Sequence, residues 1–383
     1  MKIKVKPEDF VVQELIRLPQ AKGGDYTILK LEKRFWNTLD VIDFAARKIG
    51  VPKSLFSRAG LKDRYSLSTQ YLSFKGHFKT SLHEKNFTLT PTCKANRPIL
   101  PDLLIGNSFT ITIRSLDTGE LEKISQNHHE ISTWGIPNYF DDQRFGSARH
   151  RRGFFAKALL LEHYKGALKL LLCYPYKEDK KEEKIFKNFC RENWGKWHEC
   201  LDLAPRTHRR ILSYLITNPK DYKNAIRIID KELLNIYLLA YQSYLFNQSI
   251  NMLIEKYGID IVKAPYSMGQ FLFPRRLNDL ITMRKISIPM INEKIKLEDL
   301  GGDITGSIIE QEGLSIRDFA LRKIRFRGVR FKSFLRPAII LPKNLFLGKS
   351  QDDELYPSKK KLQIGFILPA GSYATILIKR LLL

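Results

Sequence analysis

Residues 2–14, KIKVKPEDFVVQE, alternate apolar and charged side chains and then carry Phe10, Val11 and Val12, a strand pattern interrupted at Pro7, which has no N–H to give a ladder. A second strand is predicted at Tyr26 to Leu31. Asn37 and Thr38 offer capping oxygens, Leu39, Ile42, Ala45, Ala46 and Ile49 follow at helical spacing, and Gly50 with Pro52 supplies a stop, so a helix is expected there. Beyond the turn-rich stretch Ser57 to Asp63, Thr69 to Phe74 alternates again, which puts the polar cluster GLKDR on a loop between elements. Gly106 to Arg114 alternates cleanly, with Phe109, Ile111 and Ile113 on one face of a half-buried strand.

Apolar spacing becomes helical from about Phe155 to Leu172, and helices interrupted by lysine-rich loops near 177 to 187 continue to about residue 335. The tail returns to a strand at Leu362 to Pro369, a Gly371-Ser372 turn and a final run from Tyr373 to Leu383. Helix and strand are mixed, and a domain inserted into another would give this order. No repeat of 20 to 50 residues is visible.

Length and composition sharpen this picture. A chain of 383 residues exceeds the usual single core, so two domains are expected, and 43% hydrophobic with 11% aromatic residues is enough to bury a substantial core. Lysine plus arginine total 65 against 40 acidic residues, a formal charge of +25 that attracts polyanions, although a charge-rich thermophilic surface would look similar. The four cysteines, Cys93, Cys173, Cys190 and Cys200, form no CxxC pair and no dense disulfide framework, which fits a reducing cytosol. No signal peptide or membrane span is expected, so the reading is a cytoplasmic protein away from membranes.

The segment Ala59 to Arg64, AGLKDR, sets one carboxylate between two cations on a glycine-containing loop that a ligand can approach closely. Lys62 and Arg64 disfavour protonation of Asp63, as a nucleophile or general base requires, and could also engage phosphates. An ordinary charged surface loop would read the same way. Asn138-Tyr139-Phe140 and Gln143-Arg144-Phe145-Gly146 mix aromatics with amide and guanidinium groups, which suits stacking on unpaired bases or, equally, a buried turn.

GLKDR with Thr69-Gln70 downstream, NYF followed by QRFG, and the C-terminal FILPAGSYAT together resemble the TruD family of tRNA pseudouridine synthases. The resemblance extends to PEDFVVQE at 7–14, Asn37-Thr38, GNSFTITIR at 106–114 and the run Tyr241 to Asn247. It implies an α+β fold: a pseudouridine-synthase-like catalytic domain with a mixed, mainly antiparallel sheet and helices at 1–156 and 336–383, and an inserted α/β TRUD domain at 157–335. It implies isomerisation of a tRNA uridine in the D-arm region, at position 13, by detaching uracil from C1′ and rejoining it through C5. No cofactor, metal or obligatory protein partner is implied. Carried over by motif, the catalytic pair is Asp63 and Lys4, with Asn138 and Phe140 contacting the base, and Lys62, Arg64, Gln70 and Arg144 completing the substrate site. Asp63 would either attack C1′ or take a proton from C2′.

Asp141 departs from the family pattern, which has glycine after NYF, and Asp142 adds a second acid there. Arg144, Arg149, Arg151 and Arg152 are expected to grip phosphates. Arg322, Lys323, Arg325, Arg327, Arg330, Lys332 and Arg336 alternate with Ile324, Phe326, Val329 and Phe331, as either a binding stripe or an amphipathic strand or crossover. Two other classes fit poorly. A methyltransferase would need a glycine-rich strand-to-helix loop, and Gly301-Gly302-Asp303 reads as a turn instead. A metal hydrolase would need a ligand set that His128, His129, His150 and His198 do not form. A non-catalytic RNA-binding protein would not require Asp63.

Overall fold

The computed structural model describes residues 1–148, 151–176, 178–326 and 328–383. Contacts divide the chain into Met1–Ile136 with Ile340–Leu383, and Pro137–Ile339.

The first unit is built on a sheet of ten strands among the described residues. Its chain begins with a 3-10 turn at Pro7–Asp9 and strand β1 (Phe10–Ile16). There follow β2 (Tyr26–Lys33), α1 (Thr38–Lys48), β3 (Phe56–Arg58), β4 (Leu67–Lys75), β5 (Leu82–Glu84), β6 (Phe87–Ala95), β7 (Leu104–Leu116) and α2 (Thr118–Trp134). The main order is Lys343–Leu347, Lys360–Pro369, β7, β1, β4, β2, β6, β5. Pairing is antiparallel except between β1 and β4, where Val11 lies opposite Leu67 and Gln13 opposite Thr69.

That parallel pair positions the site. Parallel neighbours start at the same edge of a sheet, so the chain entering β1 and the chain entering β4 lie side by side although about 60 residues separate them. β2 runs antiparallel to β4 with Lys33 opposite Ser68, so the end of β2 reaches the same edge.

Helix α1 covers one face of the sheet. It buries Thr38, Val41, Ile42, Ala45 and Ala46 on a cluster that includes Leu29, Leu31, Leu72 and Phe74. Leu39 and Ile49, expected on that face, are exposed, because a stripe running from Thr38 through Val41 and Ala45 leaves Leu39 about 100° around the helix. The Asn37 amide donates to Asp40 at 2.8 Å instead of capping. On β7, Phe109, Ile111 and Ile113 are buried as the alternation predicts. The tail forms the strand Lys360–Pro369 and the helix Ala374–Leu381.

The second unit is chiefly helical, with short antiparallel strand pairs such as Gly258–Tyr266 with Gly269–Leu277. The expected helix from Phe155 to Leu172 is two, Phe155–Leu160 and Tyr164–Leu172, broken where Glu162 takes a left-handed backbone. Its longest helix, Lys231–Tyr257, begins at Asp230, whose carboxylate accepts from the Glu232 and Leu233 amides. This unit starts at Pro137 and not near residue 157, because residues after Pro137 are tied to that helix: the Tyr139 hydroxyl donates to Asn251 at 2.6 Å, and the Phe140 main chain exchanges two hydrogen bonds with the Asn247 amide. Gly301 and Gly302, read as a turn, instead open the helix Leu300–Gln311, where added Cβ atoms would lie 2.3 Å from the Ser287 carbonyl and 2.6 Å from Leu297.

Candidate active site

At the shared edge of β1, β2 and β4, the loop between β3 and β4 carries Asp63. Its Oδ2 is hydrogen-bonded and ion-paired to the Lys4 ammonium, and its Oδ1 accepts from the Tyr65 amide at 3.1 Å. The carboxylate remains one-third exposed, open to a ligand from one side. Lys4 is aimed from a left-handed backbone with φ of 57°, an unfavourable conformation for a side-chain-bearing residue, and its ammonium sits 4.3 Å from the Phe10 ring centroid.

The segment bearing Lys4 is anchored on both sides. Lys2 and Arg114 exchange two main-chain hydrogen bonds of 2.8 Å. Asp9 caps the Lys6 amide and accepts from the buried Arg114 guanidinium, which also binds Asp353, each at 2.9 Å.

A third lysine, which the linear motif did not reveal, completes the cluster. Lys33 is 1% exposed, and its ammonium donates to the main-chain carbonyls of Asp63 at 2.8 Å and Lys62 at 3.3 Å. Burial pushes its pKa down to about 8, against the opposing pull of Asp63, while nearby Lys62 lowers it further. For Asp63 itself burial acts upward, but the Lys4 hydrogen bond, the Tyr65 amide and the charges of Lys4 and Lys33 together outweigh it and hold the carboxyl below its ordinary value.

The two flanking cations differ in placement. Lys62 turns inward, 7% exposed, to a 2.7 Å ion pair with the fully buried Glu14. Glu14 also accepts from the Tyr71 amide at 2.9 Å, tying the loop to β1 and β4. Lys62 thus neutralises a buried acid beneath the loop. Arg64 is exposed, with Nε donating to the Phe35 carbonyl at 3.0 Å, which leaves its outer nitrogens facing solvent. Gln70 is fully buried: its Oε1 accepts from Thr38 at 2.7 Å and its Nε2 reaches the Gly60 carbonyl at 3.4 Å. Gln70 shapes the loop from beneath and has no exposed edge for substrate. Thr38 in turn accepts from the Lys62 amide at 3.1 Å. An added Cβ at Gly60 would meet only ordinary contacts, so packing within the chain does not demand glycine there.

Asn138, Phe140 and Arg144 belong to the second unit and gather around Arg336. Asn138 is 3% exposed, its Oδ1 accepting from Arg336 at 2.7 Å and its Nδ2 donating to the Pro337 carbonyl at 3.1 Å. Phe140 is equally buried, with the Arg336 guanidinium 4.2 Å from its centroid and Phe246 set edge-on at 5.3 Å. Both side chains are thus engaged inside the unit, Asn138 by Arg336 and Pro337 and Phe140 by Arg336 and Phe246. Arg144 is half-buried and stands 5.5 Å from the Phe140 centroid, and its Nε has no hydrogen-bond partner. Asp141 is buried, its carbonyl accepting from the Arg144 amide, and Asp142 caps the Ser267 amide at 2.8 Å, so both acids are built into the turn.

Of the basic runs, Arg149, His150 and Arg327 lie outside the described residues, while Arg151 and Arg152 are exposed. Among the described residues of the 322–336 cluster no strand precedes Leu335: Ile324, Val329 and Phe331 are buried, most of the cations are exposed, and Arg336 is buried on Asn138. Gln242, in the run Tyr241 to Asn247, donates to the Ile291 and Lys332 carbonyls at 2.6 and 2.9 Å, binding that segment to the long helix. Among the described residues no group of three or more His, Cys, Asp or Glu side chains is arranged to hold a metal ion, and no helix is long and apolar enough to cross a membrane.

A mixed sheet that presents a partly open carboxylate paired with a lysine, on a chain of charge +25, fits the class of enzymes that act on a polyanion such as nucleic acid. The sequence matches the family tRNA pseudouridine synthase D (TruD) over residues 1–268 and 273–381, and the chain belongs to that family. It is 35% identical over 390 residues to a Methanocaldococcus jannaschii protein named probable tRNA pseudouridine synthase D 2, covering 99% of this chain and 91% of the relative. Identity to the Methanococcus maripaludis protein named probable tRNA pseudouridine synthase D 1 is 33%, covering 99% of both. The crystal structure of a candidate TruD from Methanosarcina mazei superposes with a TM-score of 0.73 at 25% identity, over 99% of this chain and 93% of that one. The α+β pseudouridine-synthase fold expected from the motifs is therefore present, and the family's activity is the isomerisation of uridine to pseudouridine.

Proposed function

We propose that this enzyme isomerises the uridine at position 13, in the D-arm region of tRNA, in the cytoplasm, with Asp63 as its essential carboxylate and Lys4 as its catalytic cation. The observation that carries the reading is Asp63 itself: ionised, open on one side and hydrogen-bonded to Lys4.

Lifting a uridine out of its stack costs roughly a few kcal/mol, which contacts in the site must offset. Exposed Arg64 carries outer guanidinium nitrogens suited to a backbone phosphate. Asp63 then either attacks C1′ or removes the C2′ proton, and in both routes the C1′–N1 bond breaks and uracil departs with its electron pair. The Lys4 ammonium stabilises that negative charge in a site where water screens poorly. Rejoining through C5 releases the C5 proton, and N1 gains one. The free cysteines fit a reducing compartment.

The test is pseudouridine mapping by carbodiimide-blocked reverse transcription on unmodified tRNA transcripts. A stop at position 13 is expected. A stop elsewhere would overturn the position while keeping the reaction, and no stop on any tRNA that binds would overturn both.

The charge state of Asp63 adds a pH prediction. A carboxyl lowered on folding contributes stability above its unfolded pKa, near 3.9, and loses it as pH falls through the lower folded value. The single-turnover rate is therefore expected to show no acid limb from Asp63 between about pH 5 and pH 7. A protonation step in that window that disappears in Asp63→Asn would contradict the assignment.

A further inference from the structure

We propose that Lys33 is a positioning residue for the reaction, its buried ammonium clamping the main-chain carbonyls of Lys62 and Asp63 so that the Asp63 carboxylate is held against Lys4. The inference rests on the assignment of Asp63 above and extends it to a residue that never meets the RNA.

A lysine at 1% exposure is costly, and such a group is ordinarily neutralised by a carboxylate. Among the described residues no carboxylate is ion-paired with the Lys33 ammonium, and both of its hydrogen bonds end on peptide carbonyls of the Asp63 loop. The Ser66 hydroxyl donates to the same Asp63 carbonyl at 2.9 Å, so the loop is gripped at the peptide and its side chain is left free to project. The nearby charges are Asp63 and Lys62, with Lys4 beyond Asp63, and Lys62 is already neutralised by Glu14. From β4 the residue opposite is Ser68, and from β6 it is Phe87, neither of which supplies charge. Apolar side chains would fill this space at lower cost, so the charge is retained for what it does to the loop.

The arrangement leaves a signature in which stability and activity move in opposite directions with pH. Because folding lowers the Lys33 pKa from 10.5 to about 8, the unfolded chain holds its proton more tightly, and stability rises as pH climbs through that interval. Activity falls over the same interval, because the neutral amine loses its grip on the carbonyls and its pull on the Asp63 charge. A lysine with a merely structural role would give the same rise in stability but leave the rate unchanged across that interval.

The experiment compares Lys33→Met and Lys33→Arg with the unaltered enzyme in single-turnover pseudouridine formation on a tRNA transcript, tRNA binding and thermal melting, from about pH 6 to pH 10. Lys33→Met is expected to melt no lower than the parent and to bind tRNA equally, while its rate at neutral pH falls about 10- to 100-fold. Lys33→Arg, always charged, is expected to lose the alkaline decline near pH 8. Full activity of Lys33→Met with an unchanged pH profile would overturn the proposal, as would a rate loss matched by a lower melting temperature.

Should the arginine not fit, the Lys33 amine can be titrated by NMR in the unaltered enzyme and in Asp63→Asn. A midpoint near 8 that falls further in the variant is expected, and an ordinary value near 10.4, or one blind to Asp63, would refute the clamp. An active Asp63→Asn would remove the underlying assignment itself, an outcome distinct from failure of Lys33 alone.

Discussion

Asp63→Asn is expected to lower pseudouridine formation by at least about a thousandfold while leaving the fold and tRNA binding in place. Asparagine keeps an oxygen for the Tyr65 amide but can neither attack C1′ as an anion nor take a proton from C2′. Lys4 then loses its partner, yet that pair is partly solvent-exposed and its loss costs no more than about 1 kcal/mol. Rate, RNA binding and melting must therefore be measured on the same preparation. A rate within about tenfold of the parent would remove Asp63 from the chemistry, whichever of the two routes is followed.

The largest stability effect is expected at Glu14. Its carboxylate is wholly enclosed, paired with Lys62 and bonded to the Tyr71 amide, and Lys62 is 7% exposed. Glu14→Gln keeps the shape but strands a buried ammonium, at a cost of about 3–5 kcal/mol. For a unit of this size that corresponds to a melting temperature lower by roughly 6–20 °C. Lys62→Met should cost less, because the remaining carboxylic acid can neutralise itself by binding a proton. Replacing both by apolar residues should recover much of the loss, and activity would report whether the loop kept its shape. Similar melting for Glu14→Gln and the parent would show that the pair is not stabilising the loop in solution.

Both predictions concern residues whose roles differ in how plainly the sequence displayed them. Asp63, Lys4 and the loop between strands were recognisable from GLKDR and PEDF, because a short motif lists residues that are neighbours along the chain. Lys33, Glu14 and Arg336 were not, since each works through an inward-facing contact on a partner remote in the chain, 30 residues away for Lys33 and Asp63. A lysine at the end of an alternating strand gives no sign that it faces inward, and β2, buried on both faces at Ile28 and Leu29, erases the alternation that would reveal it. The same limit hid the inward direction of Lys62 and Gln70, which lie on or beside the Asp63 loop but pair inside the protein. It hid as well that Arg336 packs on both Asn138 and Phe140.

By itself, then, the sequence determined the alternating strands, the first helix, the mixed class, the positive charge and the family motifs, because local periodicity and composition follow directly from side-chain type. Only the tertiary structure decided that β1 and β4 run parallel, and with it that Lys4, Lys33 and Asp63 meet at one sheet edge. Strand partnership is a property of segments far apart in the chain, set by which faces bury together, and that information is shared among residues and written in none of them singly.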